Sequence, residues 1–470
     1  MTTNKKDDKI TKIDINTNID ITDFIDTKYK SYVFYVLENR ALPRLTDGLK
    51  TTSRKILNAT FKGSLKNGEQ KKLLNLAGDT MNLSLYAHGD SSLNSGIATL
   101  CQPFSFLFHP LYSDGQVGSL RDPKAAASPR YLTVKQSKYA DLWKTDYDLL
   151  RFEEDEGQIV EPETYYPIIP VVLCNIQTGM APGYKFWIMS YSPIDVIDAC
   201  DICLKSKKLD SKLDDFTIHP YIRDIKPANW KLEDGSWVNY GEWKTNVSKD
   251  SVEITDLTYD VDYQSFEKLL NKLTEKQIIK DWENNSRGNT VHYIVKFQKH
   301  ALSELGKGKS LENHIMNLFK LRKVKPDDLI WVLDENDKIR HFNSPNSLVE
   351  YFVHWRLSYY DERKGRLVKV LEERLSKNDE LIKFIELVCS GKLKIRNRSK
   401  KDIKVDMDKL KLPIELISIP ISRLTIEERD ELLKQNKELR EHIDYVKKTT
   451  TKQMYINDLK DLRKKIEKDF

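Results

Sequence analysis

Residues 345–375 read PNSLVEYFVHWRLSYYDERKGRLVKVLEERL. Leu348, Phe352, Trp355, Tyr359, Leu367, Val370 and Leu371 recur there at helical spacing, which gives one long helix an apolar face. A second long helix is expected from Thr425, where Thr425 and Glu428 form the T-x-x-E of a capping box. It runs to the C-terminus with Tyr455, Leu459, Leu462 and Ile466 at coiled-coil spacing. Two such helices, separated by the segment 376–424, make an antiparallel arm. At ~1.5 Å per residue, thirty-odd residues extend it roughly 45 Å, with a small knob at the tip.

Upstream of the arm, from about 160 to 340, the pattern turns strand-rich. YYPIIPVVL (165–173) reads as a buried strand, and DSVEITDLTYDVDY (250–263) alternates. Further forward, residues 28 to about 150 mix short helices with glycine-marked turns: DGLK (47–50), AHGD (87–90) and SDGQVG (113–118). The first 22 residues form a polar tail whose IDINTNIDI (13–21) has period-2 isoleucines, able to pair as a strand on a partner or to stay unstructured.

With 470 residues the chain has material for two to four domains. It is 39% hydrophobic and 31% charged, with a mean hydropathy of −0.57, which describes a soluble protein with much exposed helix. No apolar run approaches the ~20 residues of a membrane helix, and MTTNKKDDK at the start lacks a signal peptide's apolar stretch. Five cysteines are few and odd in number, so an intracellular, cytoplasmic location is expected. Cys200 and Cys203 form CDIC inside an amphipathic helical pattern with no second pair at zinc-ribbon spacing; this favours core packing over metal binding.

The net charge of +6 conceals an asymmetry. Lys28 to Lys72 holds eleven Lys or Arg against three acids; Gln136 to Glu163 holds three bases against nine acids. A basic front end is the electrostatic footprint of a polyanion, most commonly nucleic acid. In that front end AAASPRYLT (125–133) sets Tyr131 directly after Arg130, behind small residues. The same segment supplies Arg40, Arg54, Lys55 and His88: several cations and one imidazole for one phenol. A free tyrosine is only about one part in a thousand ionised at neutral pH. To attack a phosphodiester it needs a base or cations at its oxygen, and further cations on the phosphate.

These residues carry a resemblance. NRALPRLTDGLKTTSRKIL (39–57), LYAHGD (85–90), DGQVGS (114–119), AAASPRY (125–131) and EPETYYPIIPVVLCN (161–175) resemble, in order, the motifs of the breakage–reunion subunit of type IIA DNA topoisomerases. The style is closest to the medium subunit of tailed-phage topoisomerases and the matching part of eukaryotic topoisomerase II. LVEYFVHWRLSYYDERKGRLV (348–368), GKLKIRNRSKKDI (391–403) and ISIPISRLTIEERDEL (417–432) continue the likeness, which covers about 28 to 470.

The resemblance implies an α+β fold of three parts behind a tail (1–27). These are a winged-helix-type DNA-binding domain with the catalytic tyrosine (28–158), a mixed β tower (159–343), and a coiled-coil arm (344–375 and 425–470) bearing a C-terminal dimerisation gate (376–424). It makes Tyr131 the DNA-cleaving nucleophile and Arg130, His88 and Arg40 its catalytic helpers. Lys50, Arg54 and Lys55 become DNA contacts. The family's first loop histidine is Tyr86 here. Its DNA-bending isoleucine, wedged between base pairs, is Met180 in NIQTGMAPG (175–183), and a flexible methionine can still insert.

The chain shows no ATPase glycine loop and no acidic cluster of the DxD type able to hold catalytic Mg²⁺, so no metal site is expected in it. The resemblance implies that a separate subunit binds ATP and Mg²⁺ in a heterotetramer-type complex on double-stranded DNA. It also implies a homodimer, no membrane association, and the cytoplasm of a phage-infected bacterial host as the setting. With no DNA-wrapping domain after the returning helix, relaxation and decatenation are expected rather than active supercoiling. Two rival readings use the same residues. A tyrosine recombinase needs an H-x-x-R element, and none of the nine histidines begins one. A non-catalytic winged-helix DNA-binding protein with a dimerisation arm keeps everything except the chemistry of Tyr131.

Overall fold

The structure is a computed structural model that describes residues 20–470, apart from 67, 207–212, 214, 327–328, 395–397 and 421–423, and the side chains of 400 and 401. Most of the expected strand-forming tail, IDINTNIDI, therefore lies outside the described residues. Its last position, Ile21, opens a helical segment over 21–41.

Three helices and a small sheet form the front of the molecule: α1 (Thr51–Ala59), α2 (Leu73–Leu83) and α3 (Asp90–Leu100). The sheet orders β1 (Lys71–Lys72), β3 (Thr133–Gln136) and β2 (Leu111–Ser113), all antiparallel, with β3 in the centre. Two segments then add to this core. YYPIIPVVL is buried but is not a strand: Pro167 and Pro170 lack the donors a ladder needs, and Val171–Cys174 closes as a 3₁₀ turn. SPIDVIDACDICLK becomes α4 (Pro193–Lys205), capped by the Ser192 side chain on the Asp195 amide, with Cys200 and Cys203 buried as packing residues.

A second hydrophobic cluster is separate. The alternating DSVEITD stretch forms Ser251–Asp256 with burial of period 2, in a four-stranded antiparallel sheet with Glu242–Asn246, Tyr293–Lys296 and Asp281–Asn284. Helices Tyr263–Glu275 and Lys309–Leu318 cover it through Phe266, Leu270, Leu311 and Ile315.

The long helix of the opening stretch is α5 (Pro345–Cys389), 45 residues or ~68 Å long. It outruns the expected 375 because Leu381, Ile382, Phe384 and Ile385 prolong its apolar face into a third cluster with Leu393, Ile403, Met407 and Leu432. Thr425 caps the returning helix α6 (Ile426–Lys448) by accepting from the Glu428 amide at 3.2 Å. That helix does not run unbroken to the end, which corrects the expectation from coiled-coil spacing. Thr449 and Thr450 are extended, Thr450 caps a new helix α7 (Thr451–Ile466), and Lys364 Nζ of α5 donates to the freed carbonyls of Lys447 and Thr449 at 2.9 and 2.8 Å. α7 buries Tyr455, Leu459, Leu462 and Ile466 in the front core beside α4.

Candidate active site

Tyr131 is held by its neighbours. Leu132 is buried, accepts from the Leu73 amide at 3.0 Å and leads into the central strand β3. The residue before it, on a turn where the Tyr131 amide donates to Ser128 O at 2.9 Å, points outward: Tyr131 is 71% exposed. A nucleophile that must meet a duplex backbone needs such a placement, and most of the large aromatic residues in this chain are at least half-buried.

The DGQVGS turn packs beneath this loop. Val117 bridges Ala126, the Ala127 amide donates to Gln116 O at 2.8 Å, and buried Gln102 donates to Val117 O at 2.6 Å. Two glycines stand close to their neighbours here. A Cβ on Gly115 would stand 2.5 Å from Leu132 Cδ2, and one on Gly118 (φ +91°) 2.7 Å from Pro123 O. Between this loop and α3 lies an open groove of about 720 Å³, lined in part by Asp90, Asn94, Gln102, Ser128 and Arg130. Asn94 is buried, and its Oδ1 has no hydrogen-bond partner. A polar atom in this position suits a ligand with donor groups or bridging water.

Other expected site residues divide into two sets. Arg130, His88 and Arg40 are exposed, as substrate contact requires. His88 stands edge-on to the buried ring of Tyr86 at 5.4 Å, so Tyr86 supports the imidazole, and Arg40 lies over the Tyr35 ring at 5.6 Å. No hydrogen bond joins these three to the Tyr131 hydroxyl among the described residues.

Arg54, Lys55 and Lys50 each bond to a partner within the protein. Arg54 is 3% exposed; its Nε and Nη2 clamp Asp47 at 2.8 and 3.1 Å, and Nη2 also donates to Leu49 O. Lys55 Nζ bridges Ser84 O and Glu161, each at 2.8 Å, which ties α1 to the loop before His88. Lys50 Nζ donates to Thr178 O at 3.0 Å. Basic residues at i and i+1 look alike in sequence; only the fold reveals that acids stand opposite them.

Met180 sits on a hairpin of Gln177–Ala181 and Tyr184–Ile188, paired with Lys185 and 80% exposed, so it is not a core methionine. One residue escaped the sequence reading. Arg121, three residues past Gly118, is 1% exposed and donates to Thr258 O, Val261 O, Leu257 O and Asp256 Oδ1 at 2.7 to 3.0 Å. It bolts the loop that carries Tyr131 to the second cluster across more than 130 residues of chain, and no local pattern announces it.

No group of three or more His, Cys, Asp or Glu among the described residues is arranged to hold a metal ion. No described helix is long and apolar enough to cross a membrane.

The chain is 30% identical over 464 residues to DNA topoisomerase 2, mitochondrial, of Dictyostelium discoideum, covering 95% of this chain and 35% of that protein. It spans about a third of that relative's length. Against the DNA topoisomerase medium subunit of Enterobacteria phage T4 the identity is 28% over 456 residues, covering 95% of this chain and 99% of that one. The crystal structure of the Plasmodium falciparum topoisomerase II DNA-binding, cleavage and re-ligation domain has a TM-score of 0.82 at 24% identity, covering 95% of this chain and 65% of that one, which establishes the shared mixed α/β fold. The family model for the A subunit of DNA gyrase/topoisomerase IV matches residues 40–461, and the chain belongs to that family.

Proposed function

We propose that the chain is the DNA-cleaving and DNA-rejoining subunit of an ATP-dependent type IIA topoisomerase. The observation that carries this reading is Tyr131, exposed on a turn beside buried Leu132 and the positive-φ Gly118, with Arg130 beside it and a polar groove behind. The Tyr131 oxygen attacks a backbone phosphorus, the phenol proton leaves, and the P–O3′ bond breaks. A 5′-phosphotyrosyl ester and a free 3′-hydroxyl result. Arg130 offers its guanidinium to the charged oxygens, while His88 accepts the phenol proton or hydrogen-bonds the phosphate, with Arg40 as a further cation. The ester keeps the backbone's bond energy, so attack by the 3′-hydroxyl reverses the step after a second duplex has passed.

In this reading residues 28–158 serve as the winged-helix-type DNA-binding domain and 159–343 as the tower. The arm and its 376–424 gate hold two copies together, so that each Tyr131 cuts one strand. A separate subunit brings ATP hydrolysis and Mg²⁺, giving a heterotetramer-type complex that relaxes and decatenates DNA in the cytoplasm. A light-scattering mass of 54.9 kDa at micromolar concentration would remove the dimer from this account.

The direct test mixes the chain, the second subunit from the same source, Mg²⁺ and labelled duplex, and traps with detergent. Peptide mapping is expected to find the 5′-phosphate on Tyr131, and Tyr131→Phe to abolish the adduct while leaving fold and DNA affinity nearly unchanged. An adduct on another tyrosine, or full cleavage by the Phe variant, refutes the assignment. A reaction that labels no tyrosine would favour the non-catalytic DNA-binding reading.

A further inference from the structure

Lys50 stands in the basic front end, and its ammonium has partners within the protein. It donates to the Thr178 carbonyl at 3.0 Å and lies 5.6 Å from the centre of the Phe186 ring, and burial pulls its pKa below the usual lysine value. Thr178 and Phe186 belong to opposite strands of the hairpin that carries Met180, whose register pairs Thr178 with Trp187, Gly179 with Phe186 and Met180 with Lys185. One ammonium therefore touches both strands just below the exposed methionine.

The rest of the DGLK loop grips the same element. Gln177 Nε2 donates to Gly48 O at 2.6 Å. Gly48 adopts φ +67°, and a Cβ there would stand 2.7 Å from Val172 N, so the loop lies directly on the buried turn before the hairpin. Gly179 leaves room for Phe186: a Cβ there would overlap the ring at 1.9 Å. On the far strand, Trp187 exchanges backbone hydrogen bonds with Leu329 at 3.3 and 3.2 Å. The root is held from both sides, whereas Met180 at the end is free.

We propose that Lys50 is a positioning residue for DNA bending: through Thr178 and Phe186 it fixes the root of the hairpin that presents Met180, instead of neutralising a backbone phosphate. This rests on the reading of Met180 as the wedge. A wedge must enter one base step against the cost of unstacking it, so a hairpin free to swing spreads that insertion over unproductive orientations. A charge-assisted hydrogen bond to a carbonyl restrains the hairpin without a buried carboxylate near the approaching duplex.

The test uses the full complex, a duplex with a donor and an acceptor dye at its ends, and anisotropy titrations over a salt series. Lys50→Met keeps the aliphatic stem over Phe186 and removes the ammonium. It is expected to lower the bent-to-straight ratio roughly tenfold, the size of one lost charge-assisted hydrogen bond. The slope of log K against log salt is expected to match the unmodified protein, and Lys50→Arg to restore much of the bending. Lys50→Met combined with Met180→Ala is expected to bend no less than Met180→Ala alone, because both act through one element.

A Lys50→Met variant that bends normally but loses about one unit of salt slope is a phosphate ligand, and the proposal falls. Normal bending by Lys50→Met beside impaired bending by Met180→Ala overturns the proposal alone. Normal bending by Met180→Ala overturns the wedge reading and the proposal with it. If Lys50→Met misfolds, Lys50→Gln, which also removes the charge, decides: lowered bending at an unchanged salt slope supports positioning, and normal bending refutes it.

Discussion

Replacing Arg54 by alanine is expected to destabilise the front of the protein, not to release it from DNA. The guanidinium is 3% exposed and Asp47 is fully buried. Asp47 accepts from Arg54 Nε and Nη2, and also from the amides of Leu49 at 3.0 Å and Tyr165 at 3.3 Å. Its own carbonyl takes the Trp143 indole N–H at 3.1 Å. Without Arg54 the carboxylate stays buried with two amides and no counter-charge. Breaking one side of a buried ion pair costs about 3–5 kcal/mol. At roughly 2–4 °C per kcal/mol for a domain of this order of size, the melting temperature of the front core is expected to fall by about 6–20 °C.

Scanning calorimetry measures that fall, and anisotropy on a labelled duplex across a salt series measures the alternative. A phosphate-contacting arginine would leave melting unchanged and reduce the salt slope by about one when removed. Unchanged melting with a shallower slope refutes the reasoning. The double change Asp47→Asn with Arg54→Met is expected to recover part of the loss, because no isolated charge is then left buried.

Two further outcomes follow from the same structure. Burial, and then the charge of Arg223 with a lesser push from Lys138, lowers His109 from 6.5 to about 4. The unfolded chain therefore takes up the proton first, so this group's contribution to stability is intact above pH 6.5 and is lost as pH falls toward 4, by on the order of 3 kcal/mol. Urea melts of His109→Gln should be flatter over that window, and an unaltered pH dependence would remove His109 as the cause. Gly118→Ala forces a Cβ to 2.7 Å from Pro123 O at a positive φ. It is expected to shift the catalytic loop and cut cleavage by about 10²-fold with DNA affinity kept, since small misplacements of reacting groups are costly; cleavage at the unmodified rate would show that the loop tolerates the shift.

Much of this protein was legible in its sequence because much of it is local. The period of α5, the Thr425 cap, the alternation of Ser251–Asp256 and the packing role of Cys200 and Cys203 depend on residues within a turn or two of one another. The order of the motifs likewise announced the family. Local rules failed where two of them competed. Prolines overrode the apolar run of YYPIIPVVL, and Thr449 and Thr450 interrupted a heptad pattern that continued across them.

Which basic residues are paired within the protein was decided only by the tertiary structure. Arg54 and Lys55 are adjacent, basic and polar, yet Asp47 and Glu161 claim them from 7 and 106 positions away. Lys50 meets Thr178 across 128 positions, and Arg121 meets Asp256 across 135. A helix needs only its own residues to close a hydrogen bond, so periodicity writes it plainly. The partner of a buried cation is chosen by which distant segment the packed core brings within about 3 Å, and no spacing along the chain records that choice.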